Sequence, residues 1–209
     1  MRIEAILPPA KQGTRTKLVF DDGSEQRVMP TVVAELALYP GMELDEAGLA
    51  RLRSAAGKAS ARARAVRIIS VTGISEQELL YRLVQKGETP EDAAAAVAWL
   101  RELCLLDDAQ TARQLVQSAV RKGWGEARVR QLLFEKKIPR ELWDEALTLI
   151  PDDRSEEIDC FLQKKLGADP DEKQCRQAAA ALARRGFDWQ QIRAGLARYS
   201  AGSTEFDEE

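Results

Sequence analysis

The chain has 209 residues, 44% hydrophobic and 31% charged, a composition that belongs to a folding, soluble polypeptide and lies outside the disordered class. It contains no histidine, which excludes hydrolases built on a Ser-His or Cys-His pair and most proton shuttles working near neutral pH. A formal net charge of −3 speaks against strong non-specific affinity for nucleic acid, which comes from displacing counterions with Lys and Arg.

Met1 leads directly into RIEAILPPAK with no signal-peptide pattern, and no apolar run approaches membrane-spanning length, so a cytoplasmic chain without membrane association is expected. The first thirty residues carry short apolar or alternating runs, RIEAIL, TKLVF and EQRVM, the last two separated by DDGS. Gly23 can take positive φ there, so a small β-hairpin or three-stranded patch is predicted. Pro30 opens a short helical stretch, TVVAELAL, that ends at the Tyr39–Gly41 punctuation. LDEAGLARLRSAAG reads as a second helix, capped by Asp45, with Leu49 and Leu52 on its buried stripe.

From Lys58 onward the pattern is helical and repeats itself. Laying residue 75 onward over 125 onward, and that over 174 onward, aligns Leu79, Val129 and Ala178, then Leu83, Leu133 and Leu182. Beyond a junction at Gly87, Lys137 and Gly186 the register continues through Val97, Leu147 and Leu196 to Leu100, Ile150 and Tyr199. Apolar positions four residues apart on both sides of a turn are what two successive amphipathic helices require. A further apolar segment precedes each pair, giving three helices per unit. Boundary residues agree: Ser75 with Glu78 as a capping box, Thr89 and Asp169 as N-caps before Pro90 and Pro170, and Gly87, Gly123 and Gly186 as C-caps.

The expected architecture is mainly α, with tandem three-helix repeats in an elongated array and a small N-terminal β-hairpin/α segment. The expected divisions are 1–58 for that segment, 59–106, 107–150 and 151–200 for the repeats, and 201–209 for an acidic tail with Glu205, Asp207, Glu208 and Glu209. A three-helix unit of this size has a thin core, so neighbouring units are expected to share apolar surface.

Cys104, Cys160 and Cys175 are scattered through apolar helical pattern and read as core cysteines. Without clustered thiols or a histidine, neither a metal site nor a cofactor is expected. GKAS at Gly57–Ser60 mimics the end of a phosphate-binding loop, but the preceding glycine is missing and Ala59 replaces the magnesium-holding hydroxyl. Trp99, Trp143 and Trp189 read as core. Trp124, between Gly123 and Gly125, is the tryptophan placed for a partner.

Charge is unevenly spread. From 47 to 75 there are six basic residues (Arg51, Arg53, Lys58, Arg62, Arg64 and Arg67) and no acid; from 110 to 134 there are five (Arg113, Arg121, Lys122, Arg128 and Arg130) against Glu126 alone. A row of similar units suits a partner that is itself extended or periodic, such as a nucleic acid or a protein filament.

ELLYRLVQKG, then AAVAWLRELCLLDDAQTARQLV, then KGWGEARVRQLLFEKKI together resemble the RecX family of bacterial recombination regulators. The residues carrying the likeness are Glu78, Leu79, Lys86 and Gly87, then Leu106, Asp107, Asp108 and Ala112, and then Gly125, Arg128, Val129, Leu133, Lys136 and Ile138. It runs from about 61 to 150 and is weaker through the third unit. Three departures stand out: ISVTGIS where the family has an arginine-serine pair, Thr111 where it has Phe or Tyr, and Lys137 where it has glycine.

The resemblance implies a non-enzymatic regulator that binds the RecA recombinase in its filament on single-stranded DNA. It would restrain filament growth, ATP hydrolysis and strand exchange in recombination and DNA repair; separately from the resemblance, a monomer is expected. The contact face is then expected to comprise Arg62, Arg64, Arg67, Arg82 and Lys86 in the first unit, with Arg113, Arg121, Lys122, Trp124, Arg128, Arg130, Lys136 and Lys137 in the second. Read without the resemblance, the residues leave open a direct DNA-binding helical module with weak DNA contact of its own, and an adaptor for some other long partner.

Overall fold

The structure is a computed structural model and describes residues 1–9, 15–71, 73–167 and 170–204. Strands β1 (Ile3–Leu7), β2 (Thr16–Phe20) and β3 (Glu25–Val28) form an antiparallel sheet in sequence order. The expected β2–β3 turn is present: Gly23 sits at φ +80°, and the Ser24 amide donates to the Asp22 carboxylate at 2.8 Å. Helix α1 (Pro30–Glu35) follows, and Ile3, Leu18, Phe20, Val28 and Val32 form one apolar cluster with Leu44, Leu52 and Ala55.

Helix α2 runs unbroken from Glu46 to Ile69, so the helix expected to stop at Gly57 and the division drawn at 58 both fall inside one element. Asp45 caps it as expected, accepting from the Gly48 amide at 2.6 Å. Gly57 is a packing glycine and not a stop: a Cβ there would lie 2.2 Å from the Asp92 carboxylate on α4 (Pro90–Glu102). The first half of α2 closes the N-terminal cluster, while Ala61 and Ala65 in its second half join Leu79, Leu83, Ala93, Ala96 and Leu100 on α3 (Glu76–Gln85) and α4. Ser75 and Thr89 cap these two helices, accepting from the Glu78 and Asp92 amides at 3.1 Å each.

Helices α5 (Asp108–Arg121) and α6 (Glu126–Glu135) surround a cluster built on Ala112, Val116, Val129, Leu133 and Ala146. The third helix expected of that unit is broken into a 3-10 turn, Arg140–Leu142, and a short α7, Trp143–Leu147. Helices α8 (Ser155–Lys165), α9 (Glu172–Arg184) and α10 (Trp189–Thr204) gather Ile158, Leu162, Ala178, Leu182, Phe187 and Ile192. The α9 cap is Asp171, in a reciprocal capping box with Gln174. Asp169, expected in that role, lies outside the described residues, as do Glu205, Asp207, Glu208 and Glu209; α10 itself continues to Thr204, past the expected start of the tail.

The repeated junction is one backbone event. Gly87, Lys137 and Gly186 all take left-handed φ, at +90°, +54° and +91°. The amide after each reaches back five residues, Glu88 to Leu83, Ile138 to Leu133 and Phe187 to Leu182, at 3.2, 3.0 and 3.3 Å. That is the six-residue helix stop that glycine favours, adopted by Lys137 without it.

The chain divides into two compact units, Met1–Asp107 and Asp108–Glu209. Inside the second, the join between its two helical triplets differs from the shared apolar surface expected. The Gly125 amide donates to the Arg185 carbonyl at 2.7 Å, and the Ala127 amide to the Gly186 carbonyl at 3.2 Å. A Cβ on Gly125 or Gly186 would come within 2.3 Å of the opposing backbone. Beside this clamp Arg154, 3% exposed, donates to Glu157 at 2.7 Å and to the Trp124 carbonyl at 3.3 Å, with its guanidinium 5.7 Å from the Phe187 ring.

Two side-chain expectations need correction. Cys104 and Cys160 are exposed and Cys175 is half-buried; Cys104 falls at a helix end with φ +54°, where the chain turns its side chain outward despite the apolar neighbours. Trp99 and Trp143 pack against their clusters, but Trp189 opens α10 and is 60% exposed.

Candidate binding surface

Helix α2 carries Arg62, Arg64 and Arg67, and α3 carries Arg82, with Lys86 at its end. Only part of this set is available as charge. The Arg64 guanidinium binds Glu88 at 2.6 Å, and Glu88 is buried. Arg82 pairs with Glu78 one turn earlier, and Arg62 lies over the Trp99 ring at 5.1 Å. Arg67 and Lys86 are exposed and make no ion pair among the described residues.

In the second unit the same sorting occurs. Arg113 meets Glu145 at 3.0 Å, and Arg130 meets Glu126 at 2.7 Å. Glu88 and Glu145 thus arrive from distant parts of the chain to neutralise Arg64 and Arg113, while Arg82 and Arg130 are met by acids of their own helices, Glu78 and Glu126. Lys136 and Lys137 stand half-buried at the end of α6, and Arg121 is exposed without an ion pair among the described residues.

What the fold does bring together is a cationic rim around Trp124. Lys122 and Arg128 lie over the indole ring at 5.4 and 5.1 Å, distances at which the ring's negative face attracts a cation. The ring is half-buried against the second-unit core, so it is held in one orientation. Arg128 also donates to Gln131 at 2.8 Å and approaches Glu135 at 3.7 Å. A third cation comes from the other triplet: an Arg185 nitrogen lies 3.6 Å from where a Cβ on Gly123 would sit, and its guanidinium covers the Phe161 ring at 4.4 Å. Arg185 was absent from the sequence expectation. The only signal for it was its place beside Gly186, which the repeat sets against Gly125 only once the fold is known.

Among the described residues no group of three metal-ligating side chains occurs, and no helix is long and apolar enough to cross a membrane. A cleft of about 410 Å³ lies beside the Gly125–Gly186 clamp, lined in part by Glu126, Asp152, Arg154 and Gln191. Of its charged groups, Glu126 pairs with Arg130 and Arg154 with Glu157.

The fold and this surface define the class: a mainly helical repeat protein with a small N-terminal sheet, presenting cations and aromatic rings. Residues 107–147 match the family model described as RecX, second three-helix domain. The chain is 36% identical over 115 residues to a regulatory protein RecX from Cronobacter sakazakii, spanning 50% of this chain and 70% of that relative. Against one from Chromohalobacter salexigens it is 32% identical over 143 residues, 67% of this chain and 93% of the relative. The chain belongs to the RecX family of regulatory proteins. Among solved structures, a crystal structure of regulatory protein RecX superposes with a TM-score of 0.67 at 22% identity, covering 94% of this chain and 98% of the other. RecX from Lactobacillus salivarius gives 0.61 at 17%, covering 69% and 97%. At those identities the structural likeness speaks for the fold.

Proposed function

We propose that the chain binds the RecA recombinase in its filament on single-stranded DNA and restrains filament growth, ATP hydrolysis and strand exchange. It acts in the cytoplasm as a monomer, by binding and without chemistry of its own. The observation that carries this reading is family membership, with one relative matched over 93% of its length. The physical support is the rim around Trp124. A filament groove on DNA is a track of negative potential, and cations held against a fixed aromatic plate meet it with little side-chain entropy left to lose. Arg121, Lys122, Trp124 and Arg128 are the contacts proposed in the second unit, joined by Arg185, and Arg67 and Lys86 are those proposed in the first.

The test is inhibition of DNA-stimulated ATP hydrolysis by RecA, with co-sedimentation on filaments assembled on single-stranded DNA. Changing Arg121, Lys122 and Arg128 together to alanine is expected to abolish most of the inhibition while the helical signal stays unchanged. Full inhibition by that folded variant removes the rim from the interface. Failure of the unaltered protein to sediment with the filament removes the function itself.

A further inference from the structure

A second concave site lies at the other end of the chain, and nothing in the family reading assigns it. Along α2, Arg53, Ala56, Gly57 and Ser60 follow one another at spacings of three, one and three residues, so they form one stripe of the helix. Because three of the four are small, the stripe is the floor of a cleft of about 360 Å³. The end of β3 walls one side, bringing Arg27, and the turn from Gly87 to Thr89 walls the other.

Arg15, just before β2, closes the rim and is held there by a relay. Its Nη2 donates to the Ser60 hydroxyl at 2.9 Å, Ser60 donates to the buried Glu88 carboxylate at 3.1 Å, and Arg64 holds that carboxylate at 2.6 Å. Glu88 is therefore already compensated. Asp92, the remaining acid of the lining, sits in the first turn of α4, where the helix dipole favours its charge. Arg15, Arg27 and Arg53 are all exposed, and none has a carboxylate partner among the described residues. Three guanidinium groups of like sign around one concavity repel one another, and an anion placed among them relieves that cost.

We propose that this cleft binds the phosphodiester backbone of a nucleic-acid strand, with Arg15, Arg27 and Arg53 each meeting a phosphate. No aromatic side chain lines it, so there is no plate for a base and recognition is independent of sequence. The proposal does not rest on the RecA reading, because DNA alone is the probe and the ATP-hydrolysis assay reports separately on the Trp124 rim.

The experiment is fluorescence anisotropy of a labelled 20-mer of thymidylate, titrated with the full chain across a potassium chloride series. Each phosphate contact on a single strand contributes about 0.7 to the slope of log affinity against log salt, so the triple variant R15Q/R27Q/R53Q should lose about 2 from that slope. The single changes R27Q and R53Q should each lose about 0.7, which keeps the test decisive if the triple variant does not fold. A 20-mer of deoxyadenylate should bind equally. Unchanged slopes in the folded variants, or no binding by the unaltered chain at low salt, overturn the proposal. Inorganic pyrophosphate binding as tightly as the 20-mer overturns it in favour of a small anion, and a polyglutamate peptide doing so overturns it in favour of an acidic protein.

Discussion

The first and third junctions share one backbone and differ in everything set against it. Gly87 and Gly186 have the same left-handed conformation and the same five-residue return bond, yet a Cβ on Gly87 meets nothing within 4 Å while one on Gly186 lies 2.3 Å from the Arg128 amide. The residue that follows differs too: Phe187 is apolar and packed into its cluster, whereas Glu88 is a buried acid held by Arg64. The helix stop thus imposes only a conformation. What occupies the turn is decided by the neighbour, which is backbone in one case and a polar cleft in the other.

The largest expected effect separates the two glycines. G186A should cost about 3 kcal/mol or more, from the left-handed backbone plus overlap with α6, while G87A should cost about 1 kcal/mol from conformation alone. Urea unfolding of both variants measures the gap, and equal losses would mean that the close approach carries no energy. Next, R64L leaves the Glu88 carboxylate with the Ser60 hydroxyl but no cation and should cost about 2 kcal/mol, whereas E88I copies the residue at the second junction and should fall within about 1 kcal/mol of the parent. Finding E88I the costlier change would show that the buried pair itself stabilises the first junction. K137G should gain about 1 kcal/mol by removing the left-handed strain at the middle junction.

The smallest effect is a pH dependence at the entry to α8. The Ser155 hydroxyl, and after it the Ser155 amide, donate to Asp153 and hold its carboxyl below the ordinary carboxylate range. A depressed folded-state value means stability that is present above the unfolded value and lost as pH falls through the folded one. The melting-temperature difference between the parent and D153N should therefore shrink as pH is lowered below about 4. A difference that stays constant over that range would detach the Asp153–Ser155 contact from the carboxylate charge.

The helical class, the N-terminal strands and the junctions were legible because each is a local demand. A left-handed stop at a fixed distance from a buried leucine leaves a mark at Gly87, Lys137 and Gly186 that aligns by eye. The continuity of α2 was not legible, since Gly57 in a run of small residues looks like a helix end when its neighbour, Asp92, is 35 residues away in the chain. Charge was misread for the same reason. Arg64 and Arg113 stand in stretches almost free of acid, but their partners Glu88 and Glu145 lie 24 and 32 residues further on. Trp189 was read as core from its place in the repeat, yet it opens α10, where the first turn projects to solvent.

The clamp at Gly125 and Gly186 is made from peptide groups alone. Amides and carbonyls neither titrate in the physiological range nor gather a counterion cloud, so these two hydrogen bonds are indifferent to the ionic strength that governs every cation on the surface around them. The clamp can therefore keep the spacing of Lys122, Arg128 and Arg185 fixed as salt rises.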